Sequence, residues 1–205
     1  LKSQSSHVAC GQVSQRLQAD LSRQLLPGCR IDYLMEPSPI KKIAVFVDGQ
    51  NIYYTVRQQF SCHFNYSELW RRVSQQGEIV LANAYAIERN DPGQRGLQQR
   101  LREIGFEVKL KPYIQRSDGS AKGDWDVGLA IDVMDAAANH DQTVDDKIDH
   151  IVLLSGDGDF DLLIERVKTG YGIDTTVFGV NALTASSLIN AAAVFEPIQG
   201  SLLLK

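Results

Sequence analysis

Short apolar runs that end at Gly, Asp or Ser recur along the chain from residue 41 onward. The first run, Ile43–Val47, is apolar at every position and stops at Asp48-Gly49. A run without polar positions is typical of a strand that is buried on both faces, as in a parallel sheet. Four later stretches have similar strand character, namely 78–87, 106–114, 148–154 and 172–178.

Amphipathic or Ala-rich stretches separate these runs, and they predict helices near 51–60, 67–76, 93–104, 125–139, 160–169 and 182–192. Strands that alternate with helices favour an α/β fold with a parallel central sheet and helices on both faces. We therefore predict one main α/β domain over residues 41–205.

Residues 1–40 have a different pattern, which predicts an N-terminal helical extension. Val13, Leu17, Leu21 and Leu25 recur every four residues and would share one helix face. Pro27-Gly28 would end this helix, and residues 36–39 resemble a linker. The helix could pack on the main domain, or it could serve self-association or the binding of a protein partner.

Composition excludes several protein classes. The chain is 43% hydrophobic, and it contains no apolar run of the roughly 18 residues that a membrane helix needs. Its three cysteines contain no CxxC pair, so a disulfide framework and a structural zinc site are not indicated. The first residues show no secretory signal pattern. We expect a cytoplasmic protein without membrane association, and because residue 1 is Leu we expect a trimmed chain.

Acidic residues are concentrated in one segment. Residues 118–161 contain twelve Asp, two Lys and no Glu, a net charge of −10 in a chain of net charge −4, which leaves +6 elsewhere. Asp is favoured in turns, in helix caps and as a ligand of hard cations. The segment therefore contains candidates both for local structure and for chemistry.

Four of the acids follow predicted strands or begin a predicted helix. Asp48 follows the first strand, Asp157 and Asp159 follow the strand that ends at Leu154, and Asp126 begins the helix near 125–139. In open parallel sheets, sites form beyond the carboxyl ends of the strands. Converging carboxylates repel each other unless protons or cations compensate them, and Mg²⁺ or Mn²⁺ prefers such oxygen ligands. The pattern predicts metal-assisted phosphodiester hydrolysis.

The same acids have plainer explanations. Asp48 could be a turn residue, Asp157 and Asp159 could cap the next helix, and Asp126 could be only a helix start. Asp132 lies six residues after Asp126, a spacing that does not share a helix face well. It could reach the edge of the cluster or bind backbone.

Three motifs in order resemble those of the NYN domain, a PIN-like ribonuclease family, and within it the bacterial LabA-like group. They are Val45–Tyr53 (VFVDGQNIY), Lys122–Asp132 (KGDWDVGLAID) and Leu154–Phe160 (LSGDGDF). The resemblance covers about residues 41–198. It implies a PIN-like three-layer α/β/α sandwich, an acidic Mg²⁺ or Mn²⁺ site, and RNA as the substrate.

The resemblance also implies roles for single residues. By motif position, Asp48, Asp126 and Asp157 match the main metal-binding acids of the family, and Asp159 matches an accompanying acid. Further matches are Asn51, expected to orient Asp48 or a metal-bound water, Ser155, a small polar residue beside the site, and Asp132, a recurrent helix acid. One departure is that many relatives have an acid where this chain has Ala192–Phe195 (AAVF).

A basic segment could hold the nucleic acid. Residues 89–116 carry seven Lys or Arg against three acids, a local charge of +4. Flanking bases would grip phosphates, and tyrosine rings could stack unpaired bases. An ordinary charged helix face is the alternative. The candidates are Arg95, Arg100, Arg102, Lys122 and Tyr53.

The sequence thus predicts a Mg²⁺- or Mn²⁺-dependent ribonuclease that cleaves RNA, most simply single-stranded RNA. A catalytically weak NYN module that binds RNA or a protein partner is the alternative. A metal-dependent phosphatase or DNA nuclease on a similar sheet is a third possibility.

Overall fold

The fold is described from a computed structural model that covers residues 40–88, 92–112, 114–115, 121–122, 125–138 and 147–204. The helix predicted within residues 1–39 lies outside the described residues, and so does the side chain of the RNA-binding candidate Lys122. The extension and its role in self-association or partner binding therefore remain predictions.

A six-stranded sheet, in which every pairing is parallel, forms the centre of the domain. Its order is β4-β3-β1-β7-β8-β9, and two short pairs, β10-β2 and β5-β6, are antiparallel. The strands are β1 (Lys42–Asp48), β2 (His63–Phe64), β3 (Glu78–Glu88), β4 (Glu107–Pro112), β5 (Ile114–Gln115), β6 (Ala121–Lys122), β7 (His150–Leu154), β8 (Asp174–Gly179), β9 (Val194–Pro197) and β10 (Leu203–Leu204).

Helices cover both faces of this sheet, as the near-continuous apolar character of β1 and β7 requires. One buried cluster lies between the sheet and α1, α2 and α3, and the other lies between the sheet and α4, α5 and α6. The helices are α1 (Gly49–Phe60), α2 (Tyr66–Ser74), α3 (Pro92–Ile104), α4 (Asp126–Ala138), α5 (Asp161–Tyr171) and α6 (Ser186–Ala191).

The structure confirms the predicted α/β fold with a central parallel sheet and helices on both faces. The edge strand β9 was not predicted, because its four residues alternate between half-buried and exposed and it ends at Pro197. Proline is tolerated at sheet edges, where its missing N–H costs nothing. The helix predicted near 182–192 is a short 3₁₀ turn, Asn181–Leu183, followed by α6.

Among the helices that the structure describes, none combines the length and the apolar character that crossing a membrane requires.

The junction between β1 and α1 depends on a glycine. Asp48 lies opposite Tyr85 in the β1–β3 register, and a Cβ atom on Gly49 would approach the Tyr85 carbonyl oxygen to 2.6 Å. A real Cβ atom does not tolerate that distance, so the helix can start this close to β3 only with glycine at position 49. The position of α1 relative to β3 is thereby fixed.

We expect Gly49→Ala to lower the free energy of unfolding by about 1–3 kcal/mol, since the backbone must shift to admit the methyl group. Gly96→Ala in α3 is the matched control, because nothing lies within 4 Å of its added Cβ. That control should raise the free energy of unfolding by about 0.5–1 kcal/mol. Urea denaturation measures both, and equal effects of the two substitutions would contradict the close approach at Gly49.

Candidate functional site

The candidate site lies where the direction of chain progression across the sheet reverses. From β1 the chain proceeds through β3 to β4 on one side, whereas β7, β8 and β9 follow on the other side. β1 and β7 are hydrogen-bonded neighbours, so a crevice opens beyond their carboxyl ends. Ligands of open α/β sheets bind at such switch points.

Asp48 is the last residue of β1 and also the N-cap of α1. Its Oδ1 accepts a hydrogen bond from the backbone N–H of Asn51 at 3.0 Å, and its side chain is almost fully buried. An N-cap carboxylate satisfies a helix N–H and meets the positive end of the helix dipole. The plainer role suggested for Asp48 was that of a turn residue; in the structure it caps a helix, and the cap uses only one of its two oxygens.

Ser155, which is completely buried, links the second oxygen of Asp48 to the loop after β7. Its hydroxyl donates to Asp48 Oδ2 at 3.1 Å and accepts from the Asp157 backbone N–H at 3.2 Å. The Asn51 side chain adds a second link, because its Oδ1 accepts from the Gly156 N–H at 2.9 Å. Asn51 therefore binds Asp48 through its backbone and the opposite loop through its side chain.

Asp157 and Asp159 form the turn that follows this loop. The Asp157 Oδ1 accepts from the Asp159 N–H at 3.0 Å and so caps the 3₁₀ turn Gly158–Phe160. Asp157 is half-buried, whereas Asp159 is exposed to solvent. Both acids stand at the mouth of the crevice, and Asp157 is the one held by the Ser155 bridge.

The surroundings of Asp48 disfavour the ionised form of its carboxyl group. Burial raises the pKa of Asp48 above its ordinary value, and the nearby charge of Asp157 raises it further, while the bonds from Asn51 and Ser155 partly oppose this. Within the described part of the chain, no Lys or Arg forms an ion pair with either acid. A cation placed between these carboxylates would relieve the repulsion.

Asp126 is the first residue of α4, which packs against β1 and against the turn Gly158–Phe160. Its neighbour Trp125 donates from Nε1 to the Ala86 carbonyl oxygen at 2.9 Å, near the carboxyl end of β3. The start of α4 is thus at the same sheet edge as Asp48. Its membership in a shared metal site remains a prediction.

Asp132 lies six residues after Asp126 in α4, and its carboxylate forms an ion pair and a hydrogen bond with other elements. Lys109 Nζ is 2.6 Å from Asp132 Oδ2, and the Tyr85 hydroxyl donates to the same oxygen at 2.5 Å. Burial and this carboxylate together raise the pKa of Tyr85. Asp132 therefore connects α4 to β3 and β4, an arrangement that the sequence did not reveal because the three residues are far apart in it.

No three His, Cys, Asp or Glu side chains stand close enough together to hold one ion in the part of the chain that the structure describes. This does not exclude a magnesium site, because Mg²⁺ usually takes one or two protein carboxylates and completes its shell with water and substrate phosphates. The buried Asp48 and the half-buried Asp157, which repel each other, have the donor chemistry for such an ion.

The candidate RNA-binding residues are spread over two helices. Arg95 and Arg102 are exposed and two turns apart on α3, and Arg100 lines a neighbouring cavity. On α1, Tyr53 has an exposed fraction of 43%, and the Arg57 guanidinium lies 5.8 Å from the centre of its ring. The candidates thus lie on separate helices, and of these Tyr53 and Arg100 line the same cavity.

The sequence reasoning missed this cavity, which has a volume of about 830 Å³ and lies between α1, α2 and α3. The only available indication was that α3 carries glutamines among its inward-facing leucines, as at Gln98 beside Leu97 and Leu101. A buried amide on an otherwise apolar helix face indicates that it needs a hydrogen-bond partner, but the sequence does not identify that partner.

The raised pKa of Asp48 has a consequence for stability. The folded state binds a proton at a pH where the unfolded carboxyl has lost it, so the contribution of Asp48 to stability falls as pH rises from about 3.8 through the raised pKa. In metal-free buffer, the unfolding free energy of wild type minus that of Asp48→Asn should therefore decrease with pH across this window.

Asp174→Asn is a control of opposite sign, because the hydrogen bond from Lys168 lowers the pKa of Asp174. Its difference from wild type should increase with pH. Denaturation measured at a series of pH values gives both slopes, and a pH-independent difference for Asp48→Asn would disprove the burial of its charge.

Comparison with known proteins identifies the family of the chain. The sequence model of the NYN domain matches residues 42–199. The chain is 28% identical over 158 residues to the low amplitude and bright protein LabA of Synechococcus elongatus, covering 73% of this chain and 80% of that protein. It is 47% identical to a protein of unknown function from Vibrio parahaemolyticus, whose crystal structure superimposes with a TM-score of 0.74 over 83% of this chain and 100% of the other. The chain belongs to the NYN domain family, with a LabA-like relative.

Proposed function

We propose that the protein is a divalent-metal-dependent ribonuclease whose reaction centre is the crevice between β1 and β7. NYN domains belong to the PIN-like nuclease superfamily and are generally nucleases that depend on divalent metals, so a nuclease- or RNA-related function is indicated. The observation that carries this specific proposal is the buried Asp48 carboxylate beside Asp157, since no Lys or Arg of the described residues forms an ion pair with either acid.

Asp48 and Asp157 would hold Mg²⁺ or Mn²⁺, and Asp126 and Asp159 at the same edge would complete or surround the site. When bound, the metal supplies a Lewis acid that activates water and stabilises the oxygens of the phosphodiester. Because burial opposes the ionised form of Asp48, bound cation and bound proton compete at this carboxylate. Metal affinity should therefore weaken as the pH falls.

Ser155 and Asn51 have positioning roles in this proposal. The Ser155 hydroxyl fixes the second oxygen of Asp48, and the Asn51 amide fixes the loop that carries Asp157. Carboxylates held in this way need little reorganisation when a metal and a phosphate arrive, and preorganisation is a major source of catalytic rate. Asp132, which pairs with Lys109, would support the start of α4 rather than bind the metal.

A binding module with weak or no catalysis is the second candidate. It is favoured by the lack of a three-acid cluster within the described residues and by the absence of an acid in Ala192–Phe195. In this candidate the crevice would hold RNA through metals or bases without cleaving it. A cleavage assay distinguishes the two candidates, because both retain RNA binding.

We expect wild type to cleave an unstructured single-stranded RNA when Mn²⁺ or Mg²⁺ is added, and Asp157→Asn to lower the rate by about 100-fold or more, since it removes one fixed charge from the reaction centre. Asp174→Asn is the matched control, because Asp174 is the first residue of β8 and lies at the amino ends of the strands, away from the crevice. It should retain the wild-type rate.

Equal rates for wild type and Asp157→Asn would trace the cleavage to a contaminating nuclease and refute the site. Metal-dependent RNA binding without cleavage by wild type would favour the binding module instead.

The exposed arginines of α3 give a separate prediction about binding. If Arg95 and Arg102 contact phosphates, the double variant Arg95→Ala, Arg102→Ala should reduce the slope of log K against log salt concentration by about one to two. Arg166→Ala on α5, an exposed arginine on the other face of the sheet, should leave the slope unchanged. Anisotropy titrations at several salt concentrations measure the slopes. If the double variant keeps the wild-type slope, α3 does not hold the backbone.

A further inference from the structure

The cavity beside the crevice is large enough for a small ligand. Its volume of about 830 Å³ falls within the range of about 300–1,000 Å³ typical of ligand sites. Its floor is the end of β1 and the second half of β3, and its walls are α1, the start of α2 and α3. It is partly open to solvent, so a group attached to a longer chain can enter from outside.

The chemistry of the wall is apolar and aromatic with several amides. Tyr53 and Tyr54 lie at the edge with exposed fractions of 43% and 46%, and their rings meet edge to face at 5.3 Å. Gln98, which is 92% buried, and Gln94 extend from α3 among Leu97 and its apolar neighbours. Aromatic rings offer stacking surfaces, and amides both donate and accept hydrogen bonds in one plane.

The lining is close to neutral. Arg100 and Glu103 carry its only formal charges among the described lining residues, and they balance. A free phosphate would need a surplus of cations or a metal, and neither is a feature of this wall. A planar, uncharged heterocycle with donors and acceptors on its edges fits the combination of rings and amides better.

The cavity adjoins the proposed reaction centre. Val47 and Gly49, the residues on either side of Asp48, both line it, and so does Tyr66. A nucleotide whose base occupies the cavity would therefore have its phosphate near the crevice.

We propose that this cavity binds one unpaired nucleobase of the RNA strand, at a fixed distance along the strand from the phosphate in the Asp48 crevice. The inference rests on the proposed function, because it names the part of the substrate that the neighbouring site would take. A base can enter only after leaving its stack, which is costly in a duplex and nearly free in a single strand. The cavity would thus select for single-stranded RNA.

The test is an abasic scan of a single-stranded RNA of about eight nucleotides, within the usual site size of single-strand binders. A set of otherwise identical RNAs, each lacking one base, is titrated against the full chain by anisotropy with Ca²⁺ in place of Mg²⁺ or Mn²⁺. Since one stacked base contributes measurably, we expect binding to weaken about 5- to 100-fold at one position and much less at the others.

Two tryptophan substitutions on α3 connect this position to the cavity. Leu97→Trp should fill the cavity and abolish the difference between the sensitive abasic RNA and the complete RNA. Gln99→Trp is the matched control, because Gln99 is exposed two residues away and is not among the residues that line the cavity. It should keep the full difference, and thermal unfolding checks that both variants are folded.

Gln98→Leu tests the same proposal if Leu97→Trp does not fold. It keeps the cavity open but removes the buried amide, so it should reduce the discrimination among the four bases at the sensitive position. It should leave the affinity for the corresponding abasic RNA unchanged.

The inference is overturned if no position is sensitive, or if the sensitivity survives in folded Leu97→Trp. Cleavage without a sensitive position would leave the nuclease proposal intact and remove the base pocket. If RNA is not bound at all, free adenosine and uridine are tested by NMR against wild type and Leu97→Trp. Nucleoside binding that only wild type shows would retain the pocket and reject the nuclease, whereas no binding of either ligand would reject both.

Discussion

The hydroxyl group of Ser155 is the interaction on which the arrangement of the crevice depends. It is fully buried, it donates to Asp48, which lies 107 positions earlier in the chain, and it accepts from the N–H of Asp157. A buried hydroxyl must be hydrogen-bonded, so its two partners fix both its position and each other's. The ends of β1 and β7 are held together by this group and by the amide of Asn51, beyond the last backbone bonds of the strands.

This geometry has an energetic cost that bears on function. A buried carboxylate without a base partner opposes folding, and here the N–H of Asn51 and the Ser155 hydroxyl offset only part of that cost. Proteins tolerate such local conflicts mainly where a ligand resolves them. In the proposed site, the same burial that destabilises the ionised Asp48 would make it a strong partner for a cation, so stability without a ligand and affinity for one would be opposed at this residue.

The sheet could be predicted from the sequence because its evidence is local. Ile43–Val47 and His150–Leu154 are apolar at nearly every position, and alternation with helices leaves few topologies. The strand-end position of Asp48 and Asp157 followed from the same patterns. What could not be predicted depends on contacts between distant segments: the pairing of Asp132 with Lys109, the Asn51 bond to Gly156, and the cavity beneath α3. Side-chain periodicity within one segment carries no information about which other segment will face it.

The short strand β10 affects how the cavity is built. β10 does not extend the main sheet but pairs with β2, between α1 and α2, so the chain returns after β9 to the half of the domain that precedes β7. Leu204, which lies in this strand, also forms part of the cavity wall. The cavity wall therefore includes a residue of β10 besides those of α1, α2 and α3, and the Asp48 crevice needs Ser155 from the loop after β7. Neither the crevice nor the cavity is complete until segments from both halves of the sheet have come together.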